Sequence, residues 1–325
     1  MLAIRQHEFG PPENLLYEEL PDLVPGEGQA RIAVESSGVH LIDTAIRRGL
    51  RSGPFPVPDL PMTPGREVAG TIDAVGPGVD PAWTGRRAVA HLGGANGGYA
   101  TAAVTAVDGV HLIPDQLDAA VAVAMIGTGR TALGILDVAA LTKQDVVLVT
   151  AAAGGLGTLF VQAAQRVGAI VVGAAGGPDK TERTRALGAI AVDYDRSGWS
   201  DQVRESLGGQ DVSVVLDGVG GTRGRSALEL LGVAGRLVLY GNASGELTPL
   251  TTEDLAAKGL TATWAIGPRL LQRPGGLREL ETRALEEAAT GRLTPQIQTF
   301  PLAEAAVAHR ALESRATVGK VVLVP

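Results

Sequence analysis

The chain has 325 residues, more than one ordinary core accommodates, so two domains are expected. With 45% hydrophobic and 19% charged residues it is globular, and with aromatics at 3% its core must come from Ala, Val, Leu and Ile. A net charge of −7 with no cluster of Lys and Arg argues against nucleic acid as a partner, and the absence of cysteine excludes disulfides, thiolate catalysis and cysteine-ligated metal.

The first ten residues carry charges and no apolar run, so no signal peptide is expected and the protein is assigned to the cytoplasm. Residues 30–34, 67–75, 88–91 and 99–104 are short β candidates separated by Gly and Pro turns, with one helical segment, 41–48, that closes at Gly49. Around Ile126 the pattern changes: Ile126, Leu133, Leu136 and Ala140 suit one helix face. Strand candidates then recur at 146–150, 170–173, 190–192, 212–217, 237–240 and 260–264, with helix-length segments in most gaps. The run Val146-Val147-Leu148-Val149 is continuously apolar, as a strand buried on both faces must be. This alternation predicts a doubly wound parallel sheet. Helices at 277–289 and 302–312 and a strand at 320–324 follow. Residues 146–165 carry no formal charge and are long enough to imitate a membrane span, but Gly154, Gly155 and Gly157 break the stretch, and a strand–turn–helix accounts for it better. No membrane association is expected.

The strand at 146–150 runs into Ala151-Ala152-Ala153-Gly154-Gly155-Leu156-Gly157, and Leu156, Phe160, Ala163 and Val167 then share a helical face. Against G-x-G-x-x-G, Ala152 replaces the first glycine while Gly154 and Gly157 are in place. A turn of this kind, between a buried strand and an amphipathic helix, brings backbone N–H groups and a helix N-terminus to a pyrophosphate. An NAD-type site places an acid about 20 residues further on, at the next strand end. Here that region is Gly173-Ala174-Ala175-Gly176-Gly177-Pro178, followed by Lys180, with Arg183 and Arg185 on the same predicted helix. A neutral strand end beside a cation favours NADPH. The two arginines also fit a solvated helix face.

Several motifs converge on one family. Asp145-x-x-Leu148-x-x-x-Ala152-Ala153-Gly154-Gly155-x-Gly157-x-x-x-x-Gln162 resembles the signature of the quinone oxidoreductase (zeta-crystallin-like) branch of the medium-chain dehydrogenase/reductase superfamily. Gly65-x-Glu67-x-x-Gly70 with Gly76, the segment from Gly38 to Thr44, Thr131-Ala132, Tyr240-Gly241-Asn242 and the segment from Glu313 to Thr317 fall where that family has counterparts. The resemblance implies a GroES-like β-rich catalytic domain from residues 1–122 and 268–325 and a Rossmann NADPH-binding domain from 123–267. It assigns Gly154, Gly155, Leu156 and Gly157 to the pyrophosphate. Lys180, Tyr194 and Arg315 fall at the adenosine 2′-phosphate, and Thr131 and Asn242 near the nicotinamide and its ribose. It also supports a homodimer, for which the apolar, uncharged strand at 260–264 is a fitting edge.

Zinc-dependent relatives take a cysteine at the position of His40 and a histidine at that of Arg66. Arg66 cannot be a ligand, and His40 with Glu67 falls short of the three protein ligands that catalytic zinc needs, so no metal is expected. The family has asparagine where this chain has His40, and often has tyrosines where it has Ala45 and Arg51, so the substrate is not carried over. His40 either polarises or protonates the substrate, since imidazole titrates near neutrality, or contacts only the ribose or a backbone carbonyl. The expected activity is hydride transfer from NADPH to a quinone or α,β-unsaturated carbonyl. An enoyl-thioester reductase of a biosynthetic pathway and a non-catalytic NADPH-binding sensor or RNA-binding protein are the alternatives.

Overall fold

A computed structural model describes residues 1–50 and 57–325. The chain divides into two compact units, Met1–Arg130 with Glu281–Pro325, and Thr131–Leu280.

The first unit opens with an antiparallel pair, β1 (Leu2–Gln6) and β2 (Leu15–Glu19). The strands β3 (Gln29–Val39), β4 (Glu67–Val75), β5 (Arg87–His91), β6 (Ala102–Ala106) and β7 (Val110–Leu112) follow. In the second unit come β8 (Val146–Thr150), β9 (Ile170–Ala175), β10 (Ile190–Asp193), β11 (Val212–Asp217), β12 (Leu231–Leu239) and β13 (Thr261–Trp264). The chain then returns to the first unit with β14 (Ile297–Pro301) and β15 (Lys320–Val324).

The first unit's larger sheet runs β14-β15-β3-β4-β5-β7, with β6 also paired to β3. β3 extends to eleven residues, well beyond 30–34. Its polar end Ser36-Ser37-Gly38 hides the strand from an apolar-pattern search, yet is held on both sides, by β4 and by β15. Ile32, Val34, Val68, Ile72, Ala88 and Ala90 form the core beneath it.

The second unit's sheet is parallel throughout, in the order β10-β9-β8-β11-β12-β13. This is the order of a dinucleotide-binding fold, whose ligands lie beyond the carboxyl strand ends where the order reverses, here between β8 and β11. Every residue of β8 is buried. Asp145 ties the other end of the sheet together: it accepts from Ser213 Oγ at 2.7 Å, Thr142 N at 2.8 Å and Arg236 Nη2 at 3.0 Å, joining the starts of β8 and β11 to the middle of β12. β13 is an edge strand, with Trp264 40% exposed.

One helical run, Ala119–Ala139, is long and apolar enough to cross a bilayer, and 72% of its most apolar window is buried inside the protein. A π-helical turn, Met125–Gly129, interrupts it.

Candidate active site

In the second unit, the turn after β8 is set by Ala151 in the left-handed region (φ 50°) and by Gly154 N donating to Ala151 O at 2.9 Å. The helix Gly155–Arg166 starts there with Gly154 as its N-cap. Gly154 has no side chain to cap the first-turn N–H groups, and Gly154, Gly155 and Leu156 are half-buried, so those donors are open to an anion. Gly157 is buried, and a Cβ on it would overlap the Ala151 carbonyl oxygen. Ala152 stands fully buried in place of the first glycine, its N–H donating to Ala174 O at 3.0 Å on β9. The residue there packs strand to strand and leaves the ligand-facing part of the turn unchanged.

Lys180 lies half-buried in the first turn of the helix Pro178–Ala186, after β9, while Arg183 and Arg185 are exposed and Arg185 pairs with Glu182. Tyr194 follows β10, its N–H donating to Ala175 O at 3.1 Å. Asn242 is exposed in the loop beyond β12, which Ala243 N fastens to Gly218 O at 3.0 Å. Gly154–Gly157, Lys180, Tyr194 and Asn242 thus all follow carboxyl ends of this sheet. Thr131 instead begins the second unit near the start of the helix Arg130–Ala139, and Arg315 belongs to the first unit, in the left-handed region (φ 57°) just past the helix Ala305–Glu313. The strand end at Gly176 is not acid-free, contrary to the sequence expectation: the carboxylate of Asp195, from beyond β10, fills the space a side chain at Gly176 would take.

The first unit holds a cluster of buried charge at neighbouring strand ends. His40 follows β3, Glu67 begins β4 and Lys320 begins β15, and β15, β3 and β4 are adjacent. His40 Nε2 lies 2.6 Å from Glu67 Oε1, Lys320 Nζ 2.7 Å from Glu67 Oε2, and Lys320 Nζ 2.9 Å from His40 Nε2. Glu67 is completely buried and the Lys320 side chain 4% exposed, whereas that of His40 is 24% exposed, so the imidazole is the group that reaches outward. Gly38 and Gly127, the latter on the π-helical turn, seat the carboxylate: a Cβ on either would overlap Glu67 oxygens. Irregular helical turns of this kind recur at functional sites. Burial alone would raise the Glu67 pKa, but His40 and Lys320 hold it well below the usual carboxylate range, while burial draws the Lys320 ammonium down against the pull of Glu67.

A second buried network steadies His40. Its backbone N–H donates to Asp43 Oδ2 at 2.8 Å, and Asp43 also takes Arg66 Nη2 at 2.9 Å and Tyr99 Oη at 3.2 Å. Tyr99 Oη contacts His309 Nε2 at 3.1 Å, a ring whose pKa burial depresses to about 4. Ala45 is half-buried on the helix Leu41–Arg47, and Arg51 lies outside the described residues.

Comparison with known proteins bears on both units. Residues 26–115 match the alcohol dehydrogenase GroES-like domain and residues 187–323 a zinc-binding dehydrogenase domain. The chain is 33% identical to a 2-haloacrylate reductase of Burkholderia, covering 100% of this chain and 99% of that protein, and 32% identical to a quinone oxidoreductase of Salmonella typhimurium, covering 99% of each. The crystal structure of Escherichia coli quinone oxidoreductase complexed with NADPH superposes with a TM-score of 0.87 at 30% identity over 100% of both chains. The chain belongs to the quinone oxidoreductase branch of the medium-chain dehydrogenase/reductase superfamily. It therefore has the GroES-like domain and Rossmann sheet of that superfamily.

For a quinone oxidoreductase relative, the residue that sequence reasoning missed is Lys320. Its sequence signal is a single cation at the head of an otherwise apolar strand, Lys320-Val321-Val322-Leu323-Val324, which by itself indicates only a strand start. The pairing of β15 with β3 is what carries its ammonium to Glu67 and His40.

Proposed function

We propose that the chain is an NADPH-dependent oxidoreductase that delivers hydride to a quinone or an α,β-unsaturated carbonyl without zinc. The observation that carries this reading is the uncapped glycine turn at the switch point of the second unit's parallel sheet; the first unit, by itself, holds the buried His40–Glu67–Lys320 cluster. NADPH, when bound, supplies the hydride. Gly154, Gly155, Leu156 and Gly157 would hold its pyrophosphate through backbone N–H groups, Lys180, Tyr194 and Arg315 its 2′-phosphate, and Thr131 and Asn242 the nicotinamide end. This chain's residues must then orient the acceptor, polarise its carbonyl and deliver a proton. His40 is the outward-facing member of its cluster; its Nε2 is held against the Glu67 carboxylate, whose charge Lys320 balances, so the ring is fixed in orientation toward the acceptor.

The donor set does not fit zinc. Arg66 is committed to Asp43, and the ammonium of Lys320 already neutralises the carboxylate that a cation would seek. Among the described residues no group of three or more His, Asp or Glu side chains gathers as a metal site. Dialysis against a strong chelator, followed by assay of NADPH oxidation with a panel of quinones, enones and 2-haloacrylates, should leave turnover intact. Activity lost to the chelator and restored by zinc would overturn this reading.

The protein is also proposed to form a homodimer through β13, whose open edge carries no charged residue. Light scattering at micromolar concentration should return twice the chain mass.

A further inference from the structure

In dinucleotide-binding sheets the ribose 2′ position is read at the end of the second strand, here β9, where an acid that accepts the hydroxyls marks NAD. This chain places Gly176 there. The space is filled from the neighbouring strand: a Cβ on Gly176 would overlap Asp195 Oδ2 and lie 3.1 Å from Tyr194 Cε2. Asp193 holds this arrangement, its Oδ1 accepting from Gly177 N at 2.9 Å and from Asp195 N at 3.0 Å. An acid therefore stands where an NAD site has one, but β10 delivers it.

Facing that acid is Arg223, on the helix Gly221–Glu229 after β11. Its Nη2 pairs with Asp195 Oδ1, and its guanidinium carbon lies 5.0 Å from the centre of the Tyr194 ring. Its Nε–H is buried and has no acceptor among the described residues, so the guanidinium retains an unused donor. The planar fork of arginine matches a phosphate in two-point contact. The Asp195 side chain is 47% exposed, and an ion pair so open to water contributes little to folding, so exchanging the carboxylate for a phosphate oxygen is inexpensive.

We infer that Asp195 and Arg223 form a cofactor-preference switch, in which Arg223 leaves Asp195 to bind the 2′-phosphate of NADPH and Asp195 otherwise accepts the ribose hydroxyls of NADH. The inference rests on the NADPH reading above for which of the two ligands is preferred. It assigns the two residues opposite effects: Arg223 shields a 2′-phosphate from Asp195, while Asp195 repels that phosphate and favours the hydroxyl.

Calorimetric titration of the cofactor-free full chain with NADPH, NADH, adenosine 2′,5′-bisphosphate and 5′-AMP tests this without reference to turnover. Arg223→Ala should lower the ratio of the NADH to the NADPH dissociation constant by about tenfold or more, the scale of one charge-assisted contact. It should weaken adenosine 2′,5′-bisphosphate while sparing 5′-AMP. Asp195→Asn should raise the same ratio, mostly by weakening NADH. A ratio that stays within twofold in both variants, or moves the same way in both, overturns the switch. If the wild type does not prefer NADPH, the NADPH reading fails, while opposite movements in the two variants still establish the pair.

Discussion

The strand ends of the two sheets are furnished differently. Beyond β8 the second unit offers backbone: a glycine turn and unspent N–H groups at a helix start, specified by seven consecutive residues, 151–157. Beyond β3 and at the heads of β4 and β15, the first unit offers side chains: an imidazole, a carboxylate and an ammonium drawn from residues 40, 67 and 320, of which the carboxylate and the ammonium are buried. A phosphate is bound by many weak donors that tolerate water, so the first arrangement can be open. A group that must hold or move a proton needs partners at fixed distance in a low dielectric, so the second is closed.

That contrast can be broken most sharply at Glu67. Glu67→Gln leaves the Lys320 ammonium buried without a counter-charge, and loss of one partner of a buried pair costs about 3–5 kcal/mol. Thermal unfolding should show this drop, and Lys320→Met added to Glu67→Gln should recover much of it. Strictly additive losses would mean the pair is not coupled.

The buried His309 gives the first unit a pH sensitivity that the glycine turn lacks. Its folded pKa of about 4 lies below the ordinary value of 6.5, so its contribution is full above pH 6.5 and is lost as pH falls toward 4. The total is on the order of 3 kcal/mol. Unfolding midpoints measured at pH 7 and pH 4.5 should therefore differ less in His309→Gln than in the wild type.

Two smaller effects separate the roles of the sites. His40→Ala should lower turnover at saturating NADPH about 10²-fold, the scale of general acid catalysis. A change confined to the cofactor dissociation constant would make His40 a ribose contact instead. Lys180→Ala should weaken NADPH about tenfold and leave NADH nearly unchanged, as expected for one charge-assisted phosphate contact.

The same contrast governs how far the molecule could be understood from its sequence. The parallel strands announce themselves because a strand buried on both faces is an unbroken apolar run, as in Val146–Thr150, and the cofactor turn is contiguous. The edges of the first unit do not. β1 is interrupted by Arg5 and the buried Gln6, and β2, with Glu18 and Glu19, is mostly open to solvent, so neither has such a run. The end of β3 is polar, and its Ser37 hydroxyl donates to the backbone carbonyl of Glu67. Lys320 and Asp195 carry the general lesson: each side chain acts at the end of a strand other than its own, and which strands adjoin is a property of pairing over long sequence distance. A local reading finds Gly176 and concludes that the strand end is neutral, when the neighbouring strand's end has already supplied the carboxylate.

The return of the chain to its first sheet also bears on how the protein is made. β3 emerges from the ribosome long before β15, because all of Thr131–Leu280 is synthesised between the two parts of the first unit. At about 5–20 residues per second, the hydrogen-bonding groups of Ser37–Val39 wait on the order of ten seconds or more for their partner. During that interval Glu67 has no Lys320, and the half-built sheet presents an unprotected edge of the kind that chaperones guard.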